Sequence, residues 1–242
     1  MMTPATARWD HRRSERAGFV RALCRLRPVP LVPEIRLYLA DEVFGLWEEV
    51  ERESGRQGTP PPFWAFAWPG GQALARYLLE RPELVARRSV LDIGSGSGLA
   101  AIAAARAGSS AVAASEIDSL AAAAITLNAG ANNAAVTVTG DVLDGDGEGA
   151  DVVLAADIWY DRSLAGRALG LLRRARRRGA DVLVGDIGRS FLPLAMLSEL
   201  AAYDVPVVAE LEDAAVKRAM IFALRPSASA AQQSGDCGVI EA

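Results

Sequence analysis

The stretch "VLDIGSGSGLA", Val90 to Ala100, decides the fold of this 242-residue chain. An apolar run ends in an acid and then in glycines at 94, 96 and 98, and Leu99 opens an alanine-rich segment that reaches Ala107 ahead of Gly108. The run reads as a buried strand, the glycines as a tight turn, and the remainder as a helix stopped by glycine. A dinucleotide loop reads G-x-G-x-x-G, with its third glycine allowing the helix to pack closely on the strand. Here the spacing is G-x-G-x-G, and Leu99 stands where that glycine would. Asp92 would sit badly beside a phosphate, whereas a carboxylate there can accept hydrogen bonds from a cationic amino-acid head group.

Outward from the loop, strand-like and helix-like segments alternate. "AVAAS" (111–115) predicts a strand, Ser119 to Ala131 a helix, "AAVTVTG" (134–140) and "ADVVLAAD" (150–157) further strands. A basic amphipathic helix then ends at "RRARRRG" (173–179), read as a solvated helix end able to recruit an acidic partner, and "DVLVGD" (181–186) repeats the strand signal. Such alternation implies a parallel sheet covered on both faces. "VPVVAELE" (205–212) and "RAMIFALRP" (218–226), with only a short polar connection between them, predict an antiparallel hairpin. Upstream, "PEIRLYLADEVFGLWEEVERE" (33–53) has helical spacing of apolar positions, followed by the Gly/Pro break "SGRQGTPPP" (54–62). The reading is a partly helical extension over 1–62, one α/β domain over 63–226 and a flexible tail over 227–242.

Composition narrows the chemistry. A net charge of −4 gives no field for nucleic acid, and Lys217 is the only lysine. Cys24 and Cys237 fit neither a disulfide framework nor a zinc motif, so a reducing compartment is expected. No apolar stretch is long enough to span a bilayer, and no membrane partner is expected. The Arg-rich "TARWDHRRSERAGFVRALCRLR" (6–27) reads as a mobile segment, and a cytoplasmic location follows unless it is a mitochondrial transit peptide. His11, the sole histidine, lies in that segment, so no Ser-His-Asp or Cys-His pair and no metal site is expected. A bound cofactor must then carry the chemistry.

Which cofactor follows from the strand ends. Glu116 lies roughly twenty residues beyond the loop, where an acid accepts the ribose hydroxyls of a nucleoside. Asp141, closing the third strand, is placed to meet an adenine amino group, and Trp68 to cover the adenosine by stacking. Asp118 reads as a helix N-cap. Acceptors for amine, ribose and adenine, with no phosphate cradle, suit S-adenosylmethionine better than NAD.

These residues resemble the class I, seven-strand methyltransferases, and within them the family 16 protein lysine methyltransferases, most closely those of the electron transfer flavoprotein β subunit. The resemblance runs from about Pro33 to Pro226 and rests on "PEIRL", "PFWAFAWPGGQALARYLL", "SVLDIGSGSGLAAIAA", "AITLNA", "DIWYD" and "GDIGR". It implies a Rossmann-like sheet in the order 3-2-1-4-5-7-6 with the seventh strand antiparallel. It implies that Asp157 and Tyr160 of the D-x-x-Y motif face the target lysine, with Trp68 and Gly71 closing the cofactor site; Ala156, where relatives often have Gly, is counted with the cofactor-binding residues. Asp157 is expected to capture and orient the incoming ammonium, its bland alternative being a helix cap with Asp161 as rival. Phe63, Trp64 and Trp159 would wall a lysine channel, while Asp186 and Arg189 would touch the substrate protein. A ribosomal protein or a small amine is the alternative acceptor. An NAD-dependent oxidoreductase and a non-catalytic cofactor-binding module are the remaining readings.

Overall fold

The computed structural model describes residues 4–55, 57–207 and 214–226; the expected tail at 227–242 and the end of the expected strand at 208–212 lie outside them. The glycine-loop unit forms as the sequence predicts: β3 (Ser89–Ile93), α4 (Leu99–Arg106), β4 (Ala111–Ser115), α5 (Ser119–Ala131) and β5 (Thr137–Thr139). The second half supplies β6 (Val152–Ala156), α6 (Arg162–Arg177), β7 (Asp181–Asp186), β8 (Leu197–Pro206) and β9 (Val216–Leu224). One sheet runs β5-β4-β3-β6-β7-β9-β8, with β9 antiparallel to both neighbours, which is the expected 3-2-1-4-5-7-6 order.

Alternation along each strand divides the core between the two sheet faces. Val90, Val112, Val152 and Leu154 face Leu74, Leu78, Ile102 and Ile125 on one side. Leu91, Ile93, Val153 and Ala155 face Ala168, Leu171 and Leu172 of α6 on the other. Each fully buried Leu or Ile stabilises the fold by about 1.5–3 kcal/mol relative to exposure.

Before the sheet the structure departs from expectation. The segment expected to be mobile forms α1 (Pro4–Leu23), whose Val20 is fully buried, and it leads into β1 (Arg25–Val29). "PEIRLYL" is not helical: it belongs to β2 (Val32–Leu39), which pairs with β1, and only Val43–Ser54 forms the helix α2. Ile35 and Leu37 are buried at period two, whereas Leu46 and Val50 are buried at period four. The pattern therefore changes midway, and reading it with one period blurred the join. The far edge of β2 is satisfied by asparagine side chains of α5. Asn132 bonds both the N–H and the C=O of Arg36, and Asn128 Oδ1 accepts from Tyr38 N at 2.7 Å. The last antiparallel pair also starts earlier than expected, because β8 begins at Leu197 and carries an irregularity between Glu199 and Ala201.

Candidate active site

The site stands at the C-terminal ends of the parallel strands. Gly94, Gly96 and Gly98 all have positive φ (60, 54 and 84°), the left-handed backbone that favours glycine. A Cβ on Gly94 would lie 2.8 Å from Ile158, whereas one on Gly96 would meet nothing nearer than 4.0 Å, so the loop leaves open space at its middle. Glu116 fixes that loop from β4: its Oε2 accepts from Gly96 N at 3.0 Å, and its Oε1 from the N–H groups of Ile117 and Asp118. Asp118 in turn caps α5 through Leu120 N, as expected. Sequence reasoning missed Ile117, an isoleucine 80% exposed directly beside Glu116. Its signal was available, since an apolar side chain between two acids at a strand end is out of keeping with a polar rim.

Asp92 lies behind the loop and is only 2% exposed. Its Oδ2 accepts from Ser95 Oγ at 2.5 Å and Ala101 N at 3.2 Å, so it ties the turn to the start of α4 instead of facing a head group directly. Burial pushes its carboxyl up to about 7 against those two hydrogen bonds. A carboxyl raised above its unfolded value binds its proton more tightly in the native state, so its contribution favours folding at low pH and is lost as pH rises towards 7. At 1.36 kcal/mol per unit that is on the order of 4 kcal/mol as an upper bound. Between pH 8 and pH 5 the thermal midpoint is expected to rise on acidification, and less so in Asp92→Asn. Parallel melting curves for the two proteins across that range would rule the assignment out.

Asp141 is partly committed. Its Oδ1 accepts from Leu143 N and its Oδ2 pairs with Arg167 at 2.9 Å, and these contacts lower its carboxyl below the usual range. Arg167 also holds Asp144. From the same helix Arg174 donates to the carbonyls of Leu143 and Gly145, and Arg178, the residue after its end, donates to those of Asp146 and Ala150. Two of the five arginines of the basic run, Arg174 and Arg178, thus clasp the loop between β5 and β6, while Arg176 reaches Ala180 O and Asp181 at the start of β7 and the rest forms the expected solvated helix end. Arg173 and Arg177 stay exposed.

The D-x-x-Y segment brings the main correction. Asp157 has φ +57°, which turns its side chain back towards α3 (Pro69–Glu80). Trp68, the residue before that helix, offers no side-chain cap, and the carboxylate of Asp157 accepts instead from Gly70 N at 3.1 Å and Gly71 N at 2.6 Å. Those amides are among the orphans of a helix N-terminus, where an anion is favoured. Arg189 pairs with the same carboxylate, whose side chain is 9% exposed. Asp157 thus caps a helix, though α3 and not its own, and Asp161 caps α6 through Leu164 N. Burial raises the Asp157 carboxyl to about 6, opposed chiefly by the Arg189 charge. Its expected place as a free ammonium collector does not stand.

Asp186 is fully buried and spends Oδ1 on Gly188 N and Arg189 N, both at 2.7 Å, and Arg189 is engaged by two carboxylates, so neither offers an open charge for binding the surface of a substrate protein. Trp159 and Trp64 are likewise core residues, 0% and 2% exposed. Tyr160 does emerge, half-exposed, and packs on exposed Phe63 at 5.4 Å between centroids. Phe63 meets Trp68 at 5.7 Å, and Trp68 Nε1 donates to Phe63 O. Burial raises the Tyr160 phenol, with Glu116 the first charge acting on it. The aromatic wall is therefore Phe63, Trp68 and Tyr160. The Glu116 charge reaches Tyr160, and a Cβ on Gly96 would lie 4.0 Å from the Cα of Trp64, next to Phe63, so the wall stands beside the glycine loop; Ala156 ends β6 one residue before Asp157.

The ribosomal protein L11 methyltransferase family description matches residues 73–159. The electron transfer flavoprotein β subunit lysine methyltransferase of Danio rerio is 43% identical over 66% of this chain and 62% of its own length. That of Xenopus laevis is 37% identical over 81% of this chain and 82% of its own, and that of Homo sapiens 40% identical over 66% and 61%. The chain thus spans less than two thirds of the zebrafish relative's length. Among solved structures, the magnesium protoporphyrin IX methyltransferase of Synechocystis with bound S-adenosylhomocysteine gives a TM-score of 0.46 at 15% identity, covering 64% of this chain and 81% of that one. The chain belongs to the class I S-adenosylmethionine-dependent methyltransferases, in the family of the electron transfer flavoprotein β subunit lysine methyltransferases.

Proposed function

We propose that the protein transfers a methyl group from S-adenosylmethionine to a lysine amine of the electron transfer flavoprotein β subunit, in the cytoplasm. The observation that carries this reading is the juxtaposition of an acidic rim, Glu116 at the open middle of the glycine loop, with an aromatic wall. Glu116 and the open middle of the glycine loop fit an adenosyl sulfonium. Glu116 would take the ribose, Ile117 the purine face and Asp141 the exocyclic amine, while Gly94, Gly96 and Gly98, held by Asp92, would receive the amino-acid end.

When bound, the cofactor supplies a methyl group already activated on a cationic sulfur. The chain must then align, dehydrate and deprotonate the amine. Alignment alone is worth up to about 7 to 11 kcal/mol. A free lysine, with a pKa of about 10.4, is neutral in only about one molecule in two thousand at pH 7. Phe63, Trp68 and Tyr160 surround the approach with apolar faces, and desolvation there disfavours the charged amine. Tyr160, half in solvent, orients it and leaves a path for the proton to water.

To test this, purified electron transfer flavoprotein β subunit and ribosomal protein L11 are incubated separately with enzyme and methyl-labelled cofactor. Label on a lysine of the flavoprotein subunit is the expected outcome. Label confined to the ribosomal protein would replace the acceptor, and label in neither, with S-adenosylhomocysteine still bound, would reject this acceptor assignment.

A further inference from the structure

We propose that Arg189 is a positioning residue: its guanidinium fills the cation site beside Asp157, so the target lysine meets an ion pair already closed and reacts as a neutral amine. The inference rests on the lysine-transfer reading and adds the residue that sets the charge of the amine site.

A bare carboxylate next to the amine would hold it as ammonium, which has no lone pair to give the methyl group. The structure removes that hazard. The carboxylate of Asp157 is taken by Gly70 N, Gly71 N and the Arg189 guanidinium. The same guanidinium reaches Asp186 Oδ2 at 3.4 Å, so the second buried acid beside Asp157 is also balanced by it. Its carbon lies 5.8 Å from the centre of the Trp68 ring, and its charge is felt at the Tyr160 phenol together with those of Glu116 and Asp161. Arg189 thus stands between the two acids and the aromatic wall, only 15% exposed. A planar, always-charged fork can serve both acids and a ring face together, which a lysine ammonium does less well.

The test is the pH dependence of kcat at saturating electron transfer flavoprotein β subunit and cofactor, which reports groups in the bound complex, with melting and S-adenosylhomocysteine binding as folding controls. In Arg189→Gln the two acids lose their cation and the incoming ammonium replaces it. The rising limb is expected to move alkaline by about one unit, so activity near neutrality falls about tenfold and recovers at high pH. Arg189→Lys, which keeps the charge, is expected to shift less, and the double variant D157N/R189Q to return the limb to its wild-type place. A loss equal at every pH, or a double variant still shifted, would overturn the inference and leave Arg189 a structural clamp. Should R189Q melt below the assay temperature, the double variant decides alone by the same criterion. Failure of the function itself looks different, because the wild-type enzyme would then transfer no label to the subunit at any pH.

Discussion

Gly70→Ala is expected to lower the thermal midpoint by roughly 3–10 °C, the effect of about 1–3 kcal/mol of overpacking in a domain of this size. The reason is the crossing of two backbones. A Cβ on Gly70 would lie 2.4 Å from the carbonyl oxygen of Gly185 and 2.8 Å from Asp157 Oδ1, and one on Gly185 would lie 2.3 Å from Gly70 O. Gly185 O is backbone, and Asp157 Oδ1 is held in place by Gly70 N and Arg189. Moving α3 away to make room would also pull its N-terminal amides off Asp157. Gly71→Ala is the natural control, since its nearest neighbour would be Asp157 Oδ2 at an ordinary 3.7 Å. Differential scanning calorimetry should separate the two variants, and equal midpoints would show that the crossing is looser than described.

Glu116→Ala is expected to weaken S-adenosylhomocysteine binding by on the order of a hundredfold or more. Two hydrogen bonds from ribose to a charged acceptor are worth about 1.5–3 kcal/mol each, so their loss reaches that size even at the lower figure. The variant also frees Gly96 N, which Glu116 holds at 3.0 Å, and so loosens the cradle itself. Glu116→Gln keeps one acceptor and should fall between. Isothermal titration calorimetry gives the answer directly. Wild-type affinity in the alanine variant would remove the ribose assignment and with it the cofactor orientation built on it.

Much of this architecture was legible before any coordinates, for a physical reason. Strands buried on both faces read as short apolar runs, and the turn after β3 needs left-handed backbone that glycine supplies, so both leave marks in composition. The ends of β2 and β8 left weaker marks. β2 is an edge strand whose far side is closed by the side chains of Asn128 and Asn132, a partnership from a distant helix that no local pattern announces. In the site, Glu116 lies at the end of β4 against the glycine loop, Asp118 caps α5 and Tyr160 of the tetrapeptide emerges half-exposed. Asp157 and Trp159 do not, because the positive φ at Asp157 decides which side chains of the tetrapeptide leave the core. Spacing names candidates along a turn; only the backbone path shows which of them face outward.

Asn128 carries one last implication, for where this protein can be cut. Fully buried, it receives the N–H of Tyr38 on one side and donates to the carbonyl of Ser97, inside the glycine loop, on the other. Val29, Val32, Ile35 and Leu37 share one core with α3 and α4. A shortened version beginning at Phe63 would strip that layer from the sheet and leave half of a buried amide unanswered one bond away from the cofactor turn. Expression work on this protein should treat the amino-terminal hairpin as part of the unit that folds around the glycine loop.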